Sequence, residues 1–176
     1  PASKILSMNE FLNPIEVLNK IKLREDMVAA DFGSGSGGWA LPLAKKLEEG
    51  KVYAVDILEE PLSALKAGAR LAKIYNIQTI LSDVEKVQEI FEESCDLVLM
   101  TNLLFQCQDK KKILEEGKRI LEKGGKILVV DWKKDAALGP KDGGVSPEEI
   151  KEAGLDLNLR IEKEFEAGPY HYAIIF

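Results

Sequence analysis

The stretch "VAADFGSGSGGWALPLAKKL", Val28 to Leu47, runs an apolar segment into a glycine-rich turn and then into an amphipathic segment. That grammar is strand, loop, helix: the strand ends, glycines let the backbone turn tightly and approach a ligand, and the helix opens with free N–H groups. The glycines satisfy two patterns at once. Gly33, Gly35 and Gly38 form G-x-G-x-x-G, a dinucleotide fingerprint, whereas Asp31 with Gly33, Gly35 and Gly37 forms acidic-x-G-x-G-x-G. In a dinucleotide site the helix N-terminus holds an anionic pyrophosphate, so a carboxylate directly before the loop is repelled. Asp31 stands at that point, and it suits a ligand that offers a protonated amine instead.

Working outward, short apolar runs alternate with amphipathic stretches, the pattern of a parallel sheet with helices on both faces. Strands are expected at Met27 to Phe32, Lys51 to Asp56, Gln78 to Leu81, Cys95 to Thr101 and Lys126 to Asp131. Asn13 followed by Pro14 reads as an N-cap and first-turn proline, and leads into "IEVLNKIKL". Apolar faces recur at Leu41, Ala44 and Leu47, at Leu62, Leu65, Ala69 and Ala72, and at Ile113, Leu114, Gly117 and Leu121. The last forty or so residues break the alternation. A short helix, "SPEEIKEAG", precedes two extended segments, "LDLNLRIEKEFE" and "YHYAIIF", joined by "AGPY". So short a turn joins only antiparallel neighbours, which sets the final strand against the rest of the sheet. "KKDAALGPKDGGV", Lys133 to Val145, reads as a surface loop.

Composition narrows the function. At 176 residues and 45% hydrophobic, the chain can bury a substantial core, and one domain is expected over 13–176 after a flexible segment at 1–12. Thirty acidic against 24 basic residues, a net charge of -6, disfavour a nucleic-acid partner. The lysines at 110 to 112 read as a solvated helix face. Cys95 and Cys107 make neither a disulfide framework nor a metal site, so no metal is expected and a reducing, cytoplasmic setting is the simplest reading. No apolar run approaches the roughly 18 to 20 residues that span a bilayer, and "PASKILSMNEFLNP" has no signal-peptide core, so no membrane insertion is expected.

S-adenosylmethionine, through its amino acid part, is a ligand whose protonated amine would face Asp31. Asp56, ending "KVYAVDI", can accept both hydroxyls of a ribose and so supports any nucleoside. Here the sequence resembles the class I, Rossmann-like S-adenosylmethionine-dependent methyltransferases. "VAADFGSGSGGWALPLAKKLEEGKVYAVDI" looks like their first motif, helix and second strand; "ILSDVEKV", "CDLVLMTNLLFQ" and "GKRILEKGGKILVVDWK" are similar to the next three strand regions, in order. The resemblance covers roughly Asn13 to Phe176 and leans toward the quinone-biosynthesis and arsenite methyltransferases. It implies an α/β, doubly wound, mostly parallel seven-stranded sheet whose last strand is antiparallel. It also implies S-adenosylmethionine as cofactor and S-adenosylhomocysteine as product. Asp31 and the Gly33, Ser34, Gly35, Gly37 loop would then hold the methionine moiety, Asp56 the ribose, and Ile57 the adenine face. Asp83 and Val84 would meet the adenine edge, and Thr101 and Asn102 would floor the methyl site. Ser82 and Asp83 also read as an ordinary helix cap before "VEKVQEIF".

Ligands of open α/β sheets bind beyond the carboxyl ends of the parallel strands. That rule selects Asn102, Asp131 and Trp132. An antiparallel last strand begins at the same edge, which brings in Tyr170 and the only histidine, His171, a candidate general base. Asn102, Asp131 and His171 are therefore the candidate catalytic residues. "TNLLFQ" departs from the Asn/Asp-Pro-Pro-aromatic signature of base and glutamine methylation, and two cysteines fall short of the arsenite subgroup. With few residues before the first helix and a short loop after the fifth strand, the site is expected to be open, completed by "KILSMNEFL" or by a second subunit. The acceptor is expected to be an O, N or C nucleophile on a small molecule or protein side chain. Two other readings stay open: a non-catalytic S-adenosylmethionine-binding module and an NAD(P)-dependent oxidoreductase.

Overall fold

The computed structural model describes residues 11–141 and 143–176. Residues 1–10 of the expected flexible segment, and with them most of "KILSMNEFL", lie outside the described residues. Helix α1 spans Pro14–Leu18, with the Asn13 side chain accepting from the amides of Ile15 and Glu16. There follow β1 Val28–Phe32, α2 Ala40–Lys46, β2 Lys51–Asp56, α3 Glu59–Leu71, β3 Ile77–Leu81 and β4 Cys95–Thr101. After a 3-10 turn at Leu104–Gln106 come α4 Lys110–Ile120, β5 Leu121–Trp132, α5 Pro147–Asp156, β6 Lys163–Gly168 and β7 His171–Ile175.

The seven strands order as β3-β2-β1-β4-β5-β7-β6. β1 to β5 pair in parallel, while β7 runs antiparallel to both β5 and β6. The chain order reverses between β1 and β4, the switch point at which such sheets bind ligands. Because side chains alternate along a strand, each strand feeds two cores. Ala29, Val52, Ala54, Leu97, Leu99, Val130 and Ala173 pack under α1, α2 and α3. Ala30, Phe32, Val98, Met100, Val129 and Ile174 pack under α4 and α5. The helices present the apolar faces that the sequence predicts: Leu62 and Leu65 on α3, Ile113 and Leu114 on α4, all buried. Ala72, however, is the exposed C-cap of α3, and Leu121 already belongs to β5.

Three further boundaries differ from expectation. β5 starts at Leu121 rather than Lys126, with a register irregularity opposite Cys95 and Leu97. "VEKVQEIF" forms turns, not a helix. The alternating "LDLNLRI" is not a strand, because α5 runs through Leu155 and Asp156 and then reverses at Asn158, whose φ is 59°. Among the described residues no helix is long and apolar enough to cross a membrane.

Candidate cofactor and acceptor site at the carboxyl edge of the sheet

The glycine loop after β1 decides between the two sequence patterns. Gly33, Gly35 and Gly37 have φ of 71°, 52° and 96°, the left-handed region that suits glycine. A Cβ on Gly37 would lie 2.2 Å from Leu65 Cδ1, whereas one on Gly38 would meet nothing within 4 Å. The third glycine of a dinucleotide fingerprint serves close helix packing, and Gly38 has no such contact. The backbone therefore requires glycine at 33, 35 and 37, the three glycines of the acidic-x-G-x-G-x-G set. A Cβ on Gly35 would also project into open space, and it is this gap that a side chain would close to a ligand.

The loop is fastened to the end of β2. Gly33 and Ser34 donate to the Val55 carbonyl at 2.9 and 3.0 Å, and Gly35 donates to Asp56 Oδ2 at 2.8 Å. Asp56 Oδ1 accepts from Leu58 N at 3.0 Å. Each oxygen keeps a lone pair for a ribose hydroxyl. Ile57 is 66% exposed and Leu81, its register neighbour's partner, 53% exposed. Such apolar side chains at a sheet edge suit the face of a planar base. Asp83 is exposed and caps its own turn, accepting from Glu85 N at 2.9 Å. Val84 is half-buried against the core.

Buried polar side-chain atoms normally have partners, so each orphan needs a reason. Among the described residues the orphans are both oxygens of Asp31, Ser34 Oγ, Asn102 Oδ1, both ring nitrogens of His171 and the Tyr172 hydroxyl. All five residues lie at one edge, where β1 and β4 end and β7 begins. Asp31 is fully buried. Burial first, and then the neighbouring Asp56 charge, push its pKa up to about 8, with the Ala40 amide opposing them. An uncompensated carboxylate in that position fits a cationic ligand group such as the ammonium of S-adenosylmethionine. Ser34 adds a hydroxyl and Gly35 the clearance. The residues present therefore fit that cofactor.

Toward β5 the edge changes character. Thr101 is buried, and Asn102 has φ of 50°, a left-handed conformation that asparagine tolerates. Asp131 Oδ1 accepts from Trp132 N at 2.8 Å and Oδ2 from Phe105 N at 3.1 Å. Burial raises its pKa to about 6 against the pull of those amides. Its carboxylate thus grips the Leu104–Gln106 turn. His171 pairs with Trp132 across β5 and β7, their rings 4.0 Å apart at 43°. Burial, and then the Lys133 charge, lower its pKa to about 4, so the imidazole is neutral at pH 7. Tyr170 lies 5.6 Å from the Phe11 ring. Lys133 turns away to Glu166 Oε1 at 2.7 Å and the Pro169 carbonyl at 3.2 Å.

Strand alternation sorts these residues. Asp31, Asp56, Thr101, Trp132 and His171 fall on the α1–α3 face, while Asp131 and Tyr172 fall on the α4–α5 face. The edge does not bring Asp131 and His171 together as partners. Tyr172 was not among the sequence-based candidates, although its place two residues before the apolar Ile174 marks it as inward. Two clefts, about 490 Å³ beside Leu65 and Tyr75 and about 370 Å³ beside Arg24 and Asp96, lie off this edge and contain none of the orphan atoms. The Cys107 thiol donates to the Leu103 carbonyl, and Cys95 is buried. No cluster of metal-ligating side chains occurs among the described residues.

Known proteins can now be set beside this geometry. The model of the family described as "Methyltransferase domain" matches residues 30–129, from β1 into β5. A S-adenosylmethionine-dependent methyltransferase from Aquifex aeolicus superposes with a TM-score of 0.85 at 26% identity, covering 95% of this chain and 90% of that one. A Methanocaldococcus jannaschii protein, "Probable cobalt-precorrin-6B C(15)-methyltransferase (decarboxylating)", is 31% identical over 99 residues, 54% of this chain and 53% of that one. The chain thus spans about half the length of the curated relative it matches. At 16% identity the [4+2]-cyclase SpnF shares the fold alone, with a TM-score of 0.77 over 87% of this chain and 58% of that one. Its glycine loop, its sheet order and these matches together place the chain in the methyltransferase-domain family, on the Rossmann-like fold of S-adenosylmethionine-dependent methyltransferases.

Proposed function

We propose that the chain binds S-adenosylmethionine at the carboxyl edge and moves its methyl group to an O, N or C nucleophile of a small molecule or protein side chain. The observation that carries this reading is the gathering of orphaned buried polar atoms at that edge, headed by the Asp31 carboxylate. When bound, the cofactor supplies a methyl group on a sulfonium, a good leaving group. The chain supplies alignment, which alone is worth several orders of magnitude in rate. Asp31, Gly33, Ser34, Gly35 and Gly37 hold the amino acid end; Asp56, Ile57, Asp83 and Val84 hold the nucleoside end; Thr101 floors the centre. Asn102 Oδ1 and the neutral His171 ring offer hydrogen-bond acceptors to the nucleophile's proton. Asp131, engaged with two backbone amides, shapes the acceptor side from beneath.

Lys133 is committed to Glu166 and Pro169, and the acceptor side presents Asn102, Trp132, Tyr170 and His171. Domain limits of 13–176, a cytoplasmic setting, no nucleic-acid partner and closure by the N-terminal segment or a second copy complete the reading.

Calorimetric titration with S-adenosylhomocysteine, S-adenosylmethionine and NAD tests it. Adenosyl ligands should bind, NAD should not, and Asp56→Ala should abolish the heat; binding of NAD alone would return the chain to the oxidoreductases. The second reading, a binding module without catalysis, is kept because the fold itself does not enforce methyl transfer, as the cyclase match illustrates. Labelled methyl appearing in any member of an acceptor panel would remove it.

A further inference from the structure

Between β3 and β4 the chain runs from Ser82 to Ser94 without helix or strand, yet Val87 and Ile90 are buried in the core. An irregular buried segment must find partners for its backbone outside itself. Helix α4 supplies them. Glu116 Oε1 accepts from Val87 N at 2.8 Å. Arg119 Nη2 donates to the carbonyls of Val87 and Ile90, each at 3.0 Å. The same guanidinium grips Glu116 with two bonds, at 2.6 and 2.8 Å. One turn earlier, Lys112 Nζ reaches Glu85 Oε2 at 2.6 Å.

Lys112, Glu116 and Arg119 are spaced i, i+4, i+7, so one stripe of α4 carries every one of these attachments. Glu116 is only 7% exposed. A carboxylate that far from water is tolerated when it is paired and hydrogen-bonded, as here. The segment it holds begins with Asp83 and Val84, and Val84 is itself packed against the core. Asp83 accepts from the amide of Glu85, the residue that Lys112 grips. The attachments thus start one residue beyond the pair assigned to the adenine edge.

We propose that Glu116 and Arg119 are positioning residues for the nucleoside end of the cofactor site, fixing the 82–94 segment so that Asp83 and Val84 face the adenine. This rests on the reading that an adenosyl cofactor occupies the carboxyl edge. Neither side chain touches the ligand; both act through the backbone of Val87 and Ile90.

The test is calorimetric binding of S-adenosylhomocysteine and of 5′-methylthioadenosine, which lacks the amino acid end. Glu116→Gln and Arg119→Lys should weaken both ligands by the same factor, about tenfold, since small misplacements of a positioned group are costly. Asp31→Asn should weaken S-adenosylhomocysteine but leave methylthioadenosine unchanged. Folded variants that bind both ligands as the wild type does would overturn the proposal. Failure of the wild type to bind either ligand would instead sink the cofactor reading. Should Glu116→Gln not fold, amide exchange on the wild type decides. Bound S-adenosylhomocysteine should slow exchange at Val87 N–H, whose acceptor is Glu116, and an unchanged rate there would refute the link.

Discussion

At the scale of single residues, Gly35 and Gly37 separate binding from folding. Both have positive φ, yet only Gly37 is packed from the side, against Leu65. Gly35→Ala should cost about 1 to 2 kcal/mol for the left-handed conformation and remove most S-adenosylhomocysteine binding, because the new methyl enters the ligand's space. Gly37→Ala carries the same strain and brings the new methyl to 2.2 Å from the buried Leu65 Cδ1, so it should lose clearly more stability than Gly35→Ala. Thermal melts beside calorimetry distinguish the two; equal stability losses in both variants would count against the assignment of the gap to a ligand. Asp31 gives a second residue-level outcome. With its pKa at about 8, it is mostly protonated at pH 6 and gains charge as the pH rises. Affinity for S-adenosylhomocysteine should therefore climb several-fold between pH 6 and 7.5. Asp31→Asn should bind weakly, and over that range without the climb.

At the scale of elements, Asp131 acts as a clamp on the turn after β4. Asparagine has one acceptor oxygen where aspartate has two, so Asp131→Asn loses the bond to Phe105 N or to Trp132 N. A loss of about 1 to 3 kcal/mol is expected for an unpaired buried amide, read as a lower melting temperature with cofactor affinity little changed. A fall in cofactor affinity larger than the fall in stability would mean that Asp131 reaches the ligand. The same scale shows how much was legible. The five parallel strands and their loop were, since buried strands and a glycine turn are written locally in apolar runs and spacing. The acidic-glycine set was too, because only positions needing positive φ matter. "VEKVQEIF" was not, because Val87 and Ile90 give their backbone groups to Glu116 and Arg119, more than 25 residues away. "LDLNLRI" misled by period: its leucines alternate like a strand, but Leu159 N bonds to the Gly154 carbonyl and the chain folds back at the end of α5. Residues that local motif assigns to the carboxyl edge do stand there, whereas Tyr172, Glu116 and Arg119, defined by what packs on them, have no local signal.

At the scale of the whole molecule, the site's strained electrostatics should show in the stability of the ligand-free protein. His171, lowered from 6.5 to about 4, stays neutral in the fold while the unfolded chain takes up a proton, so it adds stability as the pH rises from 4 to 6.5. Asp131, raised to about 6, does the opposite over nearly the same window, and the two largely cancel. Asp31 is an acid whose folded pKa, about 8, lies far above its unfolded value. The folded state keeps a proton that the unfolded state has lost, so its contribution declines from about pH 4 up to 8. Glu116, Asp96, Glu148 and Glu166 are lowered and act only in acid, while exposed Glu122 is screened by solvent. Between pH 6.5 and 8 the slope thus belongs to Asp31, at up to about 1.4 kcal/mol per pH unit. Since 1 kcal/mol moves the melting temperature of a protein this size by about 2–4 °C, the ligand-free protein should melt several degrees lower at pH 8 than at pH 6.5. Asp31→Asn should flatten that decline, and so should saturating S-adenosylhomocysteine on the wild type, whose ammonium would give the carboxylate its missing partner. If the slope survives the substitution, the destabilising charge lies elsewhere; if it survives the ligand alone, Asp31 does not face the ammonium, and the amino acid end must be held by other groups on the loop.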